Sequence, residues 1–163
     1  MSIQFYNTLT RKKEDFTPIQ KGVVKVYSCG PTVYSSPQIG NWRSYIFSDI
    51  LKKTLSYFNY KVQDVINITD VGHLAADSDD GEDKMLKAAK KENLDPYNIA
   101  RKYEEEFVKG LEKLHITKPQ LMPRATEHIK EQIEMIQELE KKDIAYTTED
   151  VVYFDVSKFE DYG

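Results

Sequence analysis

An α/β fold built on parallel strands is what this sequence predicts, and three segments predict it. Val23 to Ser28 is rich in β-branched and aromatic residues and reads as a strand. From Asn41 to about Phe58, the apolar residues Phe47, Leu51, Leu55 and Phe58 recur every three or four positions, which predicts a helix burying that face. Asn59 and Tyr60 end it, and Lys61 to Ile68 reads as the next strand. Strand, helix and strand of these lengths make a βαβ unit, which implies a parallel pair with a right-handed crossover.

The other elements follow in order. Ile3 to Tyr6 reads as a short strand, and the charged stretch after it, through Pro18, reads as a connection. Residues 29–37 carry two prolines and two serines and form a loop. Asp77 to Asp83 is an acidic loop that lacks the ligand alternation and closing Glu of an EF-hand, so it reads as solvated rather than as a calcium site. Helices are predicted at about 84–92 and 95–114, the second amphipathic through Tyr97, Ala100, Tyr103, Phe107, Leu111 and Leu114. Thr117 to Pro123, with two prolines, is the best internal boundary, giving segments 1–117 and 118–163. Beyond it, a helix carries Ile129, Ile133 and Ile136 on one face, and Ile144 to Tyr146 pairs with Val151 to Phe154 as a hairpin.

Composition narrows the function. With 11 Tyr and 7 Phe in 163 residues, the chain has enough apolar surface for a moderate core. No apolar run approaches a membrane span, and no signal-peptide hydrophobic region opens the chain, so no membrane association is expected. One cysteine cannot form an internal disulfide, which fits a reducing cytoplasm. A net charge of −4 argues against a dedicated nucleic-acid module, since neutralising phosphates demands a basic face.

That single cysteine, Cys29, opens the run Cys29-Gly30-Pro31-Thr32-Val33-Tyr34 where the first long strand ends. The C-terminal ends of strands in open α/β sheets face the crevice where ligands bind. Gln38-Ile39-Gly40-Asn41 then enters the helix, and a helix start offers free N–H groups to a phosphate. A lone cysteine is ordinarily a small core residue, and a short Ile-Gly-Asn turn is an ordinary helix start. Side by side, between a strand and an amphipathic helix, they point to a site handling a nucleotide and a thiol-seeking group together. Asn67-Ile68-Thr69-Asp70 ends the next parallel strand on the same edge, as a functional loop or a plain Asx turn.

Read together, these motifs resemble the cysteinyl-tRNA synthetases. The resemblance rests on Asn7-Thr8-Leu9-Thr10-Arg11-Lys12-Lys13, the Cys29 run, Gln38-Ile39-Gly40-Asn41 with Arg43, and Asn67-Ile68-Thr69-Asp70. It continues through Pro123-Arg124-Ala125-Thr126-Glu127-His128-Ile129 and Val152-Tyr153-Phe154-Asp155-Val156, so it spans about Ile3 to Gly163. It implies that 1–117 is the first half of a class I Rossmann-type nucleotide-binding domain and that 118–163 begins an α+β connective-peptide insertion. Gln38, Gly40 and Asn41 then stand at the family's His-Ile-Gly-His signature as catalytic residues, with Gln38 departing from the usual His. Its amide can still donate a hydrogen bond but cannot carry a proton or positive charge. Gly30, Thr32 and Thr69 match positions lining the amino-acid pocket, and Cys29 matches the first zinc ligand.

The resemblance further implies Zn²⁺ as cofactor, with its other ligands outside this chain, and ATP with Mg²⁺ as substrate. Cysteine and tRNA-Cys complete the set of partners, and the whole enzyme is expected to be a cytoplasmic monomer. The expected reaction is cysteine activation to the adenylate and transfer to tRNA, with this segment inactive alone and binding tRNA weakly. Two other readings share these residues: a cysteine ligase acting on an amino sugar, as in mycothiol synthesis, and a non-catalytic module derived from a synthetase. His73 reads as stabilising a loop, and His115 and His128 as structural or solvated. Asp83-Lys84-Met85-Leu86-Lys87 imitates the family's Lys-Met-Ser-Lys-Ser loop but lies in a helical pattern, and so reads as a helix.

Overall fold

The structure, a computed structural model, describes residues 3–71, 84–149, 151–160 and 162. It divides into two compact units, Met1–Pro123 and Arg124–Gly163. In the first, β1 (Gln4–Asn7) pairs antiparallel with β2 (Lys12–Asp15), Gln4 opposite Asp15 and Asn7 opposite Lys12. The stretch read as a connection therefore contains a strand. Its Lys-Lys-Glu-Asp sequence has no apolar alternation to announce one. Cross-strand polar pairs help hold it: Gln4 Nε2 donates to Asp15 Oδ1 at 3.0 Å and Asn7 Nδ2 to Glu14 Oε2 at 2.9 Å.

β3 (Val23–Ser28), α1 (Ile39–Tyr57) and β4 (Lys61–Ile66) make the expected βαβ unit. β3 and β4 run parallel, in register from Val23 opposite Lys61 to Ser28 opposite Ile66. Past the strand ends a further parallel bridge joins Thr32 to Thr69. The segment 118–123 runs along the free edge of β4. There Leu121 bridges Val65 in parallel, and the Ile68 N–H donates to the Pro123 carbonyl at 2.8 Å.

The buried face of α1 differs from the one periodicity selects. Phe47 is 70% exposed, while Tyr45, Ser48, Asp49, Lys52 and Leu55 turn inward. Of the expected apolar stripe, only Leu55 is buried. Partners explain this choice, because each buried polar group on α1 meets one. Ser48 Oγ lies 2.7 Å from Ser28 Oγ on β3, and Lys52 Nζ lies 2.6 Å from Asp64 on β4. Asp49 Oδ1 accepts the Thr117 N–H at 3.0 Å. Burial pushes the Asp49 carboxyl up, but the hydrogen bonds and charge from Lys53 and Thr117 outweigh it and hold Asp49 below the usual carboxylate range.

α2 (Lys84–Glu92) and α3 (Pro96–Lys113) complete this unit. Asp95 caps α3 by accepting the Tyr97 N–H, with Pro96 in the first turn. Ala100, Phe107 and Leu111 are buried as expected, joined by Ile99, whereas Tyr97 and Leu114 at the helix ends are exposed. Phe107 stacks on Trp42 at 5.7 Å and meets Tyr45 edge-on at 5.0 Å, clamping α1 to α3. Gly110 is required at that contact: a Cβ there would fall 2.2 Å from the Trp42 ring.

In the second unit, a short 3₁₀ turn leads into α4 (Ile129–Lys141). β5 (Ala145–Thr147) and β6 (Val152–Phe154) then form the expected hairpin, with Tyr146 stacked on Tyr153. Ile129, Ile133 and Ile136 remain 38–50% exposed. Among the described residues, no helix is long and apolar enough to cross a membrane.

Candidate functional site

Two strand ends and one helix start build the site. Leaving β3, the chain turns at Cys29 and Gly30 and passes over the end of β4. The Gly30 N–H donates to Asn67 Oδ1 at 2.9 Å. The Thr69 N–H donates to the Pro31 carbonyl at 3.0 Å, and the Val33 N–H to the Thr69 carbonyl at 3.1 Å. This approach is so close that a Cβ on Gly30 would lie 1.6 Å from the Asn67 carbonyl oxygen, so only glycine fits. Cys29 is exposed, and its Sγ makes only a long contact, 3.8 Å, with the Gly30 carbonyl. The core reading of this thiol is therefore set aside.

Beyond the turn lies a cavity of about 310 Å³, lined by the 30–32 backbone turn, Tyr34 to Gln38, Asn41 and Tyr45. It brings Gly30, Thr32, Gln38 and Asn41 to one opening. Thr69 and Cys29 are not among the lining residues: Thr69 is joined by a backbone bridge to Thr32, which lines the cavity, and Cys29 directly precedes Gly30. Gln38 is the N-cap residue of α1, and its N–H donates to Asn41 Oδ1 at 2.8 Å. A backbone N–H can only donate, so the Asn41 oxygen is fixed toward its own helix cap and the amide NH₂ is left as the outward group. The helix start thus offers donors, which suits an anion. Nothing lies within 4 Å of where a Gly40 Cβ would stand, and Gly40 is not among the residues that line the cavity.

Sequence reasoning missed Tyr45. It follows Asn41 by one helical turn, and that i, i+4 spacing is the signal that places both on the cavity side. Burial, and then negative charge at the nearby Cys29 sulfur, push the Tyr45 hydroxyl up to about 12.

Among the described residues, no group of three or more His, Cys, Asp or Glu is placed to hold a metal ion. Cys29 is thus one soft donor rather than a site by itself. His73 and the acidic loop from Asp77 to Asp83 lie outside the described residues. Lys84 to Lys87 are helical, in α2. His115 takes a left-handed backbone, φ 53°, and its carbonyl accepts from Lys53 Nζ at 3.1 Å, while His128 Nδ1 lies 3.8 Å from Glu131.

The structure thus sets an anion-suited helix start at the carboxyl edge of a parallel strand pair in a mixed α/β unit. Residues 15–163 match the family of tRNA synthetases class I (C), catalytic domain. The chain belongs to that family. Over all 163 residues it is 45% identical to cysteine–tRNA ligase 1 of Burkholderia lata and 47% identical to the cysteine–tRNA ligase of Treponema denticola, covering 35% and 33% of those proteins. The cysteine–tRNA ligase of Thermus thermophilus is 42% identical, with 34% of it covered. The chain therefore spans about a third of the length of the curated relatives it matches. A solved structure from Campylobacter jejuni, described as a putative arginyl-tRNA synthetase, superposes with a TM-score of 0.58 at 13% identity. It covers 88% of this chain and 40% of that one, a likeness of fold alone.

Proposed function

We propose that the protein carrying this chain activates cysteine with ATP and transfers it to tRNA-Cys. One observation carries the reading: the glycine turn after β3 and the start of α1 line one cavity of about 310 Å³, and the exposed Cys29 thiol is the residue just before that turn. Relatives named cysteine–tRNA ligases, 42–47% identical across this chain, support it over an amino-sugar ligase or a non-catalytic module.

In the proposed reaction, a carboxylate oxygen of cysteine attacks the α-phosphorus of ATP, bound with Mg²⁺. The bond from that phosphorus to the bridging oxygen breaks, and pyrophosphate leaves. Gln38 and Asn41 would donate to phosphate oxygens as charge builds on them, with Gly40 leaving space for the adenine. Gly30, Thr32 and Thr69 would line the amino-acid side. Cys29 is the residue here that would hold Zn²⁺, with other ligands from outside the described residues. Such a metal would take a thiolate in preference to serine's hydroxyl. We assign 1–117 to the first half of a Rossmann-type domain and 118–163 to the start of a connective-peptide insertion. The parallel β3–β4 pair and the separate α4–hairpin unit support a division of this kind, although 118–123 lie along β4 in the first unit, which runs to Pro123. A cytoplasmic setting suits the unpaired Cys29.

The test is exchange of labelled pyrophosphate into ATP. Full-length protein is expected to exchange with cysteine and not with serine, and the 163-residue chain alone is expected to give none. Cysteine-independent exchange, or none from the full-length protein, contradicts the reading.

A further inference from the structure

Asn67 follows β4 directly, and its side chain carries three hydrogen bonds. Oδ1 accepts from the Gly30 N–H at 2.9 Å and from the Tyr27 hydroxyl at 2.9 Å, and Nδ2 donates to Thr69 Oγ1 at 3.0 Å. One partner settles the direction of the others. A backbone N–H only donates, so the atom facing Gly30 must be the amide oxygen. The atom facing Thr69 is then the NH₂, which only donates, so Thr69 Oγ1 must accept there. A hydroxyl has one proton, and the Thr69 proton is thereby turned away from Asn67.

We propose that Asn67 is a positioning residue that makes the Thr69 hydroxyl a hydrogen-bond donor to the amino-acid substrate. The inference rests on the function proposed above. It follows that Thr69 takes an acceptor of the substrate, its carboxylate or its thiolate, and not its ammonium group. It also follows that the Gly30 N–H, already used by Asn67, is not a substrate contact. Gly30 serves instead by lacking a side chain, which lets the loop lie against β4.

Asn67→Asp in the full-length protein separates this from a structural role. A carboxylate still accepts from Gly30 and Tyr27, so the turn stays pinned. It cannot donate to Thr69, whose hydroxyl then turns inward to it. In cysteine-dependent pyrophosphate exchange, KM for cysteine should rise about tenfold or more, the scale of one hydrogen bond to a charged group. KM for ATP should stay within about twofold and the melting temperature should be nearly unchanged. Thr69→Val should raise the cysteine KM similarly, Thr69→Ser should restore it, and N67D should add little once residue 69 lacks its hydroxyl.

Inhibition by cysteamine, which has the thiol without the carboxylate, tells the two acceptors apart. Inhibition unaltered in N67D assigns the carboxylate, and inhibition weakened in step with cysteine assigns the thiolate. Either supports the inference. An unchanged cysteine KM overturns it, as does an equal rise in both KM values, an effect of N67D that persists undiminished in T69V, or an N67D protein that no longer folds. An inactive wild type overturns the proposed function and this inference with it, whereas an active wild type with any of those N67D results overturns the inference alone.

Discussion

Two asparagine side chains have their direction set by a main-chain donor, Asn41 by the Gln38 N–H and Asn67 by the Gly30 N–H. Asn41 is then left with its amide NH₂ facing outward, whereas Asn67 donates its NH₂ to Thr69 Oγ1. Gln38 adds a neutral donor at the helix start, where the resembled family usually has a histidine. In the full-length protein Gln38→Ala should slow adenylate formation about ten- to a hundredfold, as expected for losing one polar donor to the transition state. Its cysteine KM should barely move, since Gln38 is proposed to face phosphate rather than the thiol. Pyrophosphate exchange at saturating ATP reads this out, and an unchanged rate would show that the signature position is idle. Residue types and spacing alone make Cys29, Gly30, Gln38 and Asn41 legible as candidates. The role of Asn67 is not legible that way, because it depends on which atom faces which across two strands.

Among the elements, α1 shows where a periodicity argument fails. Phe47 promises an apolar face, but the helix buries Ser48, Asp49 and Lys52, because β3, β4 and the 115–121 segment present polar partners there. Lys52 also reaches the Thr117 carbonyl at 3.4 Å, while Asp64 Oδ1 accepts the Gln120 N–H at 3.1 Å. These contacts tie the 115–121 segment to the βαβ unit. Lys52→Met should leave Asp64 buried without its cation and cost about 3–5 kcal/mol. Pairing it with Asp64→Leu should recover part of that loss, less the hydrogen bond to Gln120. Urea unfolding measures both, and a cost below about 1 kcal/mol for Lys52→Met would show that the pair is effectively solvated. Helix and strand positions are legible from composition and period. The polar face of α1 is not, since each of those residues looks like surface until its partner is known. β2 is hidden for the same reason, being an edge strand written wholly in charges.

Across the whole molecule, parallel strands at residues 23–28 and 61–66 set one edge on which the loop motifs converge. The order of those motifs along the chain carries the family, and residues 15–163 match it. The proposed metal is the part that neither motif order nor the described residues complete, with Cys29 exposed at the residue before the cavity-lining turn. This thiol is where fold, cavity and proposed chemistry meet, and metal content tests it most directly. Full-length protein, treated with chelator, reloaded and gel-filtered, should carry one Zn²⁺ per chain, and Cys29→Ser should lose most of it, because a serine hydroxyl does not ionise near neutral pH. Stoichiometric zinc surviving in Cys29→Ser would contradict the proposal that this thiol anchors the metal that selects cysteine.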